Sequence, residues 1–199
     1  MAANITLEKL RKAQILDAAV QMISANGSHN VTLDDVAKAA ELSKGGVAYY
    51  FSSKDELFRE AFLDLFGRIF DRSMTTMAQF DDPLEKVLSF GWLFNDHEAM
   101  IRDIGYPLMF DAMVLAMRDE MYRKIIHDWI EGWITLLKEA LDLGVDQGRF
   151  QVDDTEKAAR AISSIYHGFA IRWYLDRPNH STAWAREHCR VSIKRYLGC

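Results

Sequence analysis

Apolar residues recur at helical spacing along almost the whole chain. Leu7, Leu10, Ile15, Ala18, Ala19, Met22 and Ile23 form one stripe, closed by the helix stop Asn26-Gly27. Thr32 is placed to cap a short helix, Leu33 to about Ala40, with Asp34 and Asp35 at the positive end of its dipole. After a turn near Glu41-Leu42, Ser43 caps a second short helix over about Lys44–Tyr50. Ser53 with Glu56 makes a capping box that opens a long helix reaching about Gln79.

Further along, Asp82-Pro83 starts a helix carrying Leu84, Val87, Leu88, Trp92 and Phe94. From Asp119 to about Val145, Ile125, Ile126, Trp129, Ile130, Trp133, Leu137 and Leu141 give a helix apolar on more than one face, which predicts a central position. Asp153 with Glu156 forms another capping box, followed by Ile162, Ile165, Tyr166, Phe169 and Trp173, and a last helix holds Trp184, Val191, Ile193 and Tyr196. Between Asn95 and Arg118 the pattern weakens, and Gly105-Tyr106-Pro107 predicts a break into two pieces. No alternating strand pattern, repeat or low-complexity tract occurs. The expected fold is all-α with about nine helices: a three-helix N-terminal helix-turn-helix domain joined to a larger helical domain.

Two short helices joined by a tight turn and braced by longer ones describe a helix-turn-helix, whose second helix enters the DNA major groove. That second helix begins SKGGVAYYF, Ser43 to Phe51. Adjacent glycines cost a helix roughly 1 kcal/mol each relative to alanine. Bare backbone at Gly45 and Gly46 would let a phosphate approach closely, because free N–H groups at a helix start bind anions. Thr32 and Ser43 offer hydroxyls and Lys44 offers charge to the same phosphates, while Tyr49 and Tyr50 present rigid rings with polar tips. The alternative is that the glycines only shape the turn and one tyrosine is core.

Charge narrows where such contact falls. The net charge of −5 argues against non-specific coating of nucleic acid. Residues 1–54, however, carry six lysines and arginines against five acids, while the remaining 18 bases and 24 acids give −6. DNA contact should therefore be local to the N-terminal quarter. At 199 residues and 49% hydrophobic content, a substantial core is available and disorder is excluded. No secretory segment or run near the ~18 apolar residues of a membrane span occurs. Cys189 and Cys199 fit neither a disulfide framework nor a zinc site. A soluble protein of a reducing cytoplasm, with no membrane partner, is expected.

Residues 9–69 resemble the DNA-binding domain of the tetracycline-repressor (TetR) family of bacterial transcription regulators. The motifs that carry the resemblance are R-x-x-x-I-L-x-A-A at Arg11 to Ala19, the Gly27 stop, T-L-D-D-V-A-K-A-A at 32–40, S-K-G-G-V-A-Y-Y-F at 43–51 and S-K-D-E-L-F at 53–58. The resemblance implies a helix-turn-helix motif at 32–51 and DNA contacts at Thr32, Ser43, Lys44, Gly45, Gly46, Tyr49 and Lys54, with Val47 and Phe51 in the small domain's core. The chain departs from the family in two places. Glu41 stands where glycine is usual, so a left-handed backbone there would be strained, and Ala48 stands where many members have an aromatic residue.

Residues 70–199 are implied, by the same resemblance, to form a ligand-binding and dimerisation domain. Met100, Met109, Met113, Met117 and Met121 crowd together in sequence with Phe90, Phe94, Phe110, Trp129 and Trp133, a composition suited to an adaptable apolar pocket or to ordinary core. His127 and His167, each beside aromatic residues, are candidates to orient a ligand, with satisfied structural histidines as the alternative. Arg102 and Arg172 would meet an acidic ligand unless paired at the surface. Asp153-Asp154 is better read as a cap than as a catalytic pair, and His188-Cys189 lacks further ligands at metal spacing. Trp173, Tyr174, Trp184 and Tyr196 on the last two helices suit an interface that pairs two copies into a four-helix bundle.

The expected function is a homodimeric, ligand-responsive regulator, a repressor that leaves a palindromic operator when a small-molecule effector binds. An all-α enzyme or carrier is the competing class. No glycine-rich nucleotide loop, nucleophile–base constellation or metal set supports it, so neither catalysis nor a cofactor is expected. A helix-turn-helix used for protein contacts is a third class, and the glycine-bare helix argues against it.

Overall fold

Side-chain caps decide where most of the helices begin. The computed structural model describes residues 2–199, with side chains from Leu7 onward, and is helical throughout. Helix α1 (Ala2–Asn26) ends at Gly27, whose φ of 77° only glycine adopts freely. Thr32 and Asp35 form a reciprocal capping box that starts α2 (Leu33–Ala39), and Ser43 caps α3 (Lys44–Tyr50). The turn between them puts Glu41 at φ 53°, the left-handed conformation foreseen for this position. A side chain there costs about 1–2 kcal/mol. Glu41→Gly is therefore expected to raise stability by about 1 kcal/mol, less the greater unfolded-state entropy of glycine, as a higher melting temperature.

Helix α4 (Lys54–Met77) starts as predicted but with a modified cap. Glu56 N–H donates to Ser53 Oγ at 3.1 Å, while the Glu56 carboxylate reaches past Ser53 to the backbone N–H of Ser52 at 2.7 Å and to its hydroxyl. Those hydrogen bonds hold the Glu56 carboxyl below its ordinary pKa. Asp82 caps α5 (Pro83–Leu88), which ends sooner than the apolar pattern implied: Ser89–Leu93 tightens into a 3-10 turn. The two pieces predicted to divide at Gly105-Tyr106-Pro107 do meet there, as a change of helix type without an intervening loop. Met100–Gly105 forms a π-helical turn that runs directly into α6 (Tyr106–Ala116). Proline is tolerated there because first-turn N–H groups have no intrahelical partner. Helix α7 spans Glu120–Asp146, α8 spans Thr155–Leu175 and α9 spans Thr182–Leu197. The cap of α8 is Asp154, one residue later than the predicted box, accepting from Lys157 N–H at 3.0 Å.

The described chain divides into two compact units, and α4 and α7 contribute residues to both. The first comprises residues 1–68 with Asp103–Ile126. Its core gathers Ile15, Ala19 and Ile23 of α1, Val36 of α2, Val47 of α3, Phe51, and Leu57, Ala61 and Phe62 of α4. Val47 and Phe51 are each 1% exposed, as the resemblance implied. Residues 103–126 pack into this same unit. Ser24 Oγ donates to the Ile104 carbonyl at 3.2 Å, Ser28 N–H to Asp111 Oδ2 at 2.9 Å and the Tyr122 hydroxyl to Asp55 Oδ1 at 3.2 Å. Burial and the Asp55 carboxylate push the Tyr122 phenol well above its ordinary pKa, so it remains a hydrogen-bond donor.

The second unit comprises Ile69–Arg102 with His127–Cys199. Leu137 and Leu141 of α7, Ile162 and Trp173 of α8 and Ile193 of α9 are fully buried in it. The Tyr166 hydroxyl donates to the Val87 carbonyl at 2.8 Å, joining α8 to α5. Asp96 ties the α8–α9 turn down: it accepts from Arg177 Nη1 at 3.0 Å and from the Thr182 hydroxyl, and Thr182 Oγ1 accepts the Trp173 indole N–H at 3.0 Å.

Candidate DNA-binding helix and effector cluster

Helix α3 presents an open first turn. Ser43 Oγ accepts the Gly46 N–H at 3.1 Å, a cap that does not use the hydroxyl hydrogen. Neither Gly45 nor Gly46 has a positive φ. A Cβ built at Gly45 would meet only Ser43 Oγ at 3.9 Å; at Gly46 it would meet Ser43 Oγ at 3.4 Å and Leu42 Cβ at 3.6 Å. Both are ordinary contacts. Neither backbone geometry nor internal packing therefore requires glycine at these positions.

Around that turn the candidate contacts differ in readiness. Tyr49 is 77% exposed, its ring meeting Tyr50 edge-on at 5.0 Å. Lys44 is exposed and pairs with Asp34, Nζ to Oδ1 at 3.1 Å, so reaching a phosphate means exchanging that surface partner. The Lys54 ammonium lies over the Phe58 ring, 5.0 Å from its centre. Thr32 is the most committed: its hydroxyl and backbone N–H both donate to Asp35 Oδ2, at 2.6 and 2.9 Å. Those bonds lower the Asp35 pKa and make Thr32 first of all a cap.

The second unit gathers part of the predicted ligand set into one aromatic cluster. Phe90 contacts Trp133 at 4.5 Å between ring centres, Trp129 contacts Trp133 at 6.4 Å, and His167 lies 5.5 Å from Trp129 and 6.3 Å from Trp133. Phe94 joins through Tyr166, stacked on it at 6.3 Å, and Tyr166 meets Phe90 edge-on at 5.5 Å. The Trp133 indole N–H is buried with no hydrogen-bond partner. Burial lowers the His167 pKa, and its Nδ1 lies 2.9 Å from the Ser163 carbonyl. The ring is thus neutral, donates from Nδ1 and keeps Nε2 as an acceptor.

Other members of the predicted set stand elsewhere. Met109, Phe110 and Met113 lie on α6 in the first unit, and Met117 and Met121 are 78% and 47% exposed. Adjacency in sequence misled here because the π-helical turn and α6 carry this stretch to different neighbours. His127 is exposed on α7, while the Arg160 hydrogen bond holds the Glu131 carboxyl below its ordinary pKa.

Among the expected interface residues, Trp173 needs correction: it is 0% exposed within a single chain and offers no area to a partner. Tyr174 and Trp184 are half-buried and Tyr196 is 45% exposed. Trp184 stacks on His188 at 4.5 Å and meets His180 at 4.7 Å and Phe169 at 5.4 Å. Leu175, near the end of α8 and outside the expected set, is 66% exposed.

Helices α2 and α3, with their short turn and exposed second-helix start, form the helix-turn-helix of a DNA-binding transcriptional regulator. The chain belongs to the TetR family. Residues 15–61 match the profile of bacterial regulatory proteins of the tetR family, and residues 102–198 match the C-terminal profile of BetI-type transcriptional repressors. An HTH-type transcriptional regulator of Bacillus subtilis, YfiR, is 31% identical over 99% of this chain and 98% of its own. The regulator BetI of Rhizobium meliloti is 29% identical over 86% of this chain and 82% of its own. In fold, the chain is similar to a transcriptional regulator from Saccharomonospora viridis solved in complex with choline. The TM-score is 0.82 at 22% identity, covering 92% of this chain and 95% of that one. Among the described residues, no helix is long and apolar enough to cross a membrane.

Proposed function

We propose that this protein is a homodimeric repressor that occupies a palindromic operator and leaves it when a small molecule binds. The observation that carries the reading is the glycine pair at the start of α3: the fold has room for side chains at both positions, so their absence serves something outside the protein. A DNA phosphate fits, approached by the N–H groups of the first turn, the Ser43 hydroxyl and Lys44, with Tyr49 and Lys54 alongside and Thr32 at the start of α2. DNA binding is assigned to 9–69, and effector binding and dimerisation to 70–199.

The effector is taken up at the Phe90, Trp129, Trp133 and His167 cluster, where the unused Trp133 N–H and the His167 Nε2 orient it. Choline is the first compound to test, because a structural neighbour binds it and aromatic faces attract quaternary ammonium groups. Trp129 and Trp133 share α7 with Tyr122, whose hydroxyl holds Asp55 at the start of α4. The size of the response is set by the effector's difference in affinity for the DNA-bound and released conformations.

The deciding experiment is a mobility-shift titration on DNA upstream of the protein's own gene, with and without candidate effectors. A footprint without two-fold symmetry, or binding that no small molecule weakens, would defeat the reading. Lys44→Ala is expected to weaken binding nearly uniformly across sequences. Because lysine is treated as a phosphate contact, the log–log salt slope should fall by about 1 per recognition helix. An unchanged slope with altered base preference would make Lys44 a base reader.

A further inference from the structure

We propose that the second unit holds a site for a small organic carboxylate that adjoins the aromatic cluster only through Phe94 and Tyr166, does not include Trp129, Trp133 or His167, and is independent of the repressor reading. The site is a cleft of ≈ 410 Å³ between the Ser89–Leu93 turn and α9, within the size range of small-molecule pockets. Arg186 and Arg190, one turn apart on α9, line it together with a single acid, Glu85. Arg186 is held in place by its Nε, which donates to the Gly91 and Phe94 carbonyls, each at 3.1 Å. Arg190 reaches Glu85 only at 3.4 Å. Two guanidiniums against one carboxylate leave one positive charge facing the cleft.

Two neutral donors lie just behind the cleft wall, where a small side-chain shift would bring them to a ligand. Ser89 Oγ and Trp92 Nε1 belong to residues lining the same cleft, and both atoms are buried without a hydrogen-bond partner. Leaving a buried donor unused is costly, and native structures rarely do so without a reason. Among the described residues that line the cleft, Glu85 is the one acid. The Tyr166 hydroxyl donates to Val87, and burial pushes the Cys189 thiol up to about 12, so both lining groups are neutral. Phe80, Leu88 and Phe94 add apolar wall, and Asn95 adds one further neutral polar side chain.

A ligand with one negative charge, two acceptor oxygens in a plane and a compact apolar body satisfies these groups together. Guanidinium forks and neutral N–H or O–H donors pair naturally with a planar carboxylate. A phosphate matches the charge less well and leaves the apolar wall without a partner.

Calorimetric titration of the full-length protein with benzoate, its neutral isostere benzamide and inorganic phosphate tests the proposal. Benzoate is expected to bind once per chain, with benzamide and phosphate at least about tenfold weaker, the loss expected when a charge-assisted pair is removed. Arg190→Gln, which leaves the Arg186 bonds intact, should weaken benzoate by a similar factor. Ser89→Ala should weaken benzoate several-fold while raising the melting temperature, because the substitution removes a donor that the empty protein does not use. Trp129→Phe should leave benzoate binding unchanged. Failure of benzoate to bind, equal binding of benzamide or phosphate, or full affinity in Arg190→Gln would overturn the site. So would a lower melting temperature in Ser89→Ala or loss of benzoate binding in Trp129→Phe.

Discussion

Gly45→Val is expected to remove tight operator binding while leaving the fold at least as stable. The two effects have opposite signs because glycine at this position carries a cost inside the protein and a benefit only outside it. A glycine within a helix is less favourable than alanine by about 0.5–1 kcal/mol, and valine recovers part of that difference. The built Cβ finds nothing nearer than Ser43 Oγ at 3.9 Å, so no internal clash offsets the gain. Outside the protein, a branched side chain would hold the first turn of α3 away from the phosphate it is proposed to grip. Losing one charge-assisted contact of this kind costs about 1.5–3 kcal/mol, tenfold or more in affinity, and a symmetric dimer loses it at both half-sites. Fluorescence anisotropy on the operator and a thermal melt separate the two quantities. Unchanged affinity, or a melting temperature that falls with affinity, would remove the explanation for the glycine pair.

The helix-turn-helix was legible in the sequence because its information is local. Caps at Thr32 and Ser43, the stop at Gly27 and the strained turn at Glu41 depend on neighbours within a few residues, and each has its foreseen place or conformation. The first contacts of the cluster were partly legible for the same reason: Trp129 and Trp133 are one turn apart on α7. The choice between pocket and core for methionine-rich 100–121 was not legible, because its placement depends on distant partners. Ser24, Ser28 and Asp55 tie the surrounding segment to the first unit, and none of these bonds has a signature in the run itself. His127 and His167 illustrate the same limit. Both sit beside aromatic residues in sequence, yet rotation around the helix exposes one and places the other among tryptophan rings. The cleft at Arg186 and Arg190 had no sequence signal, since its unused donors, Ser89 and Trp92, lie about a hundred residues away.

Trp173→Ala and a Leu175→Asp, Tyr196→Asp double variant should fail in different ways. Trp173 is fully enclosed in its own chain and its indole N–H is bonded to Thr182, which in turn donates to Asp96. Truncating a tryptophan in such a place costs about 3–5 kcal/mol, and here it also leaves Thr182 Oγ1 without one of its donors. The expected result is a large fall in melting temperature, with operator binding lost only as the fold is lost. Leu175 and Tyr196 are 66% and 45% exposed in the single chain, so replacing them removes little from its core. In the proposed four-helix bundle they would be covered, and aspartate would bring an unpaired charge into the contact on both sides of the two-fold axis. The double variant should therefore keep its helical circular dichroism and melt near the parent temperature, while light scattering reports a monomer at micromolar concentration. Operator affinity should collapse with dissociation, because one recognition helix reads only half of a palindrome. An intact dimer in that variant would place the interface on another face of the chain, and a dissociated dimer that still bound its operator tightly would remove the need for two-fold recognition.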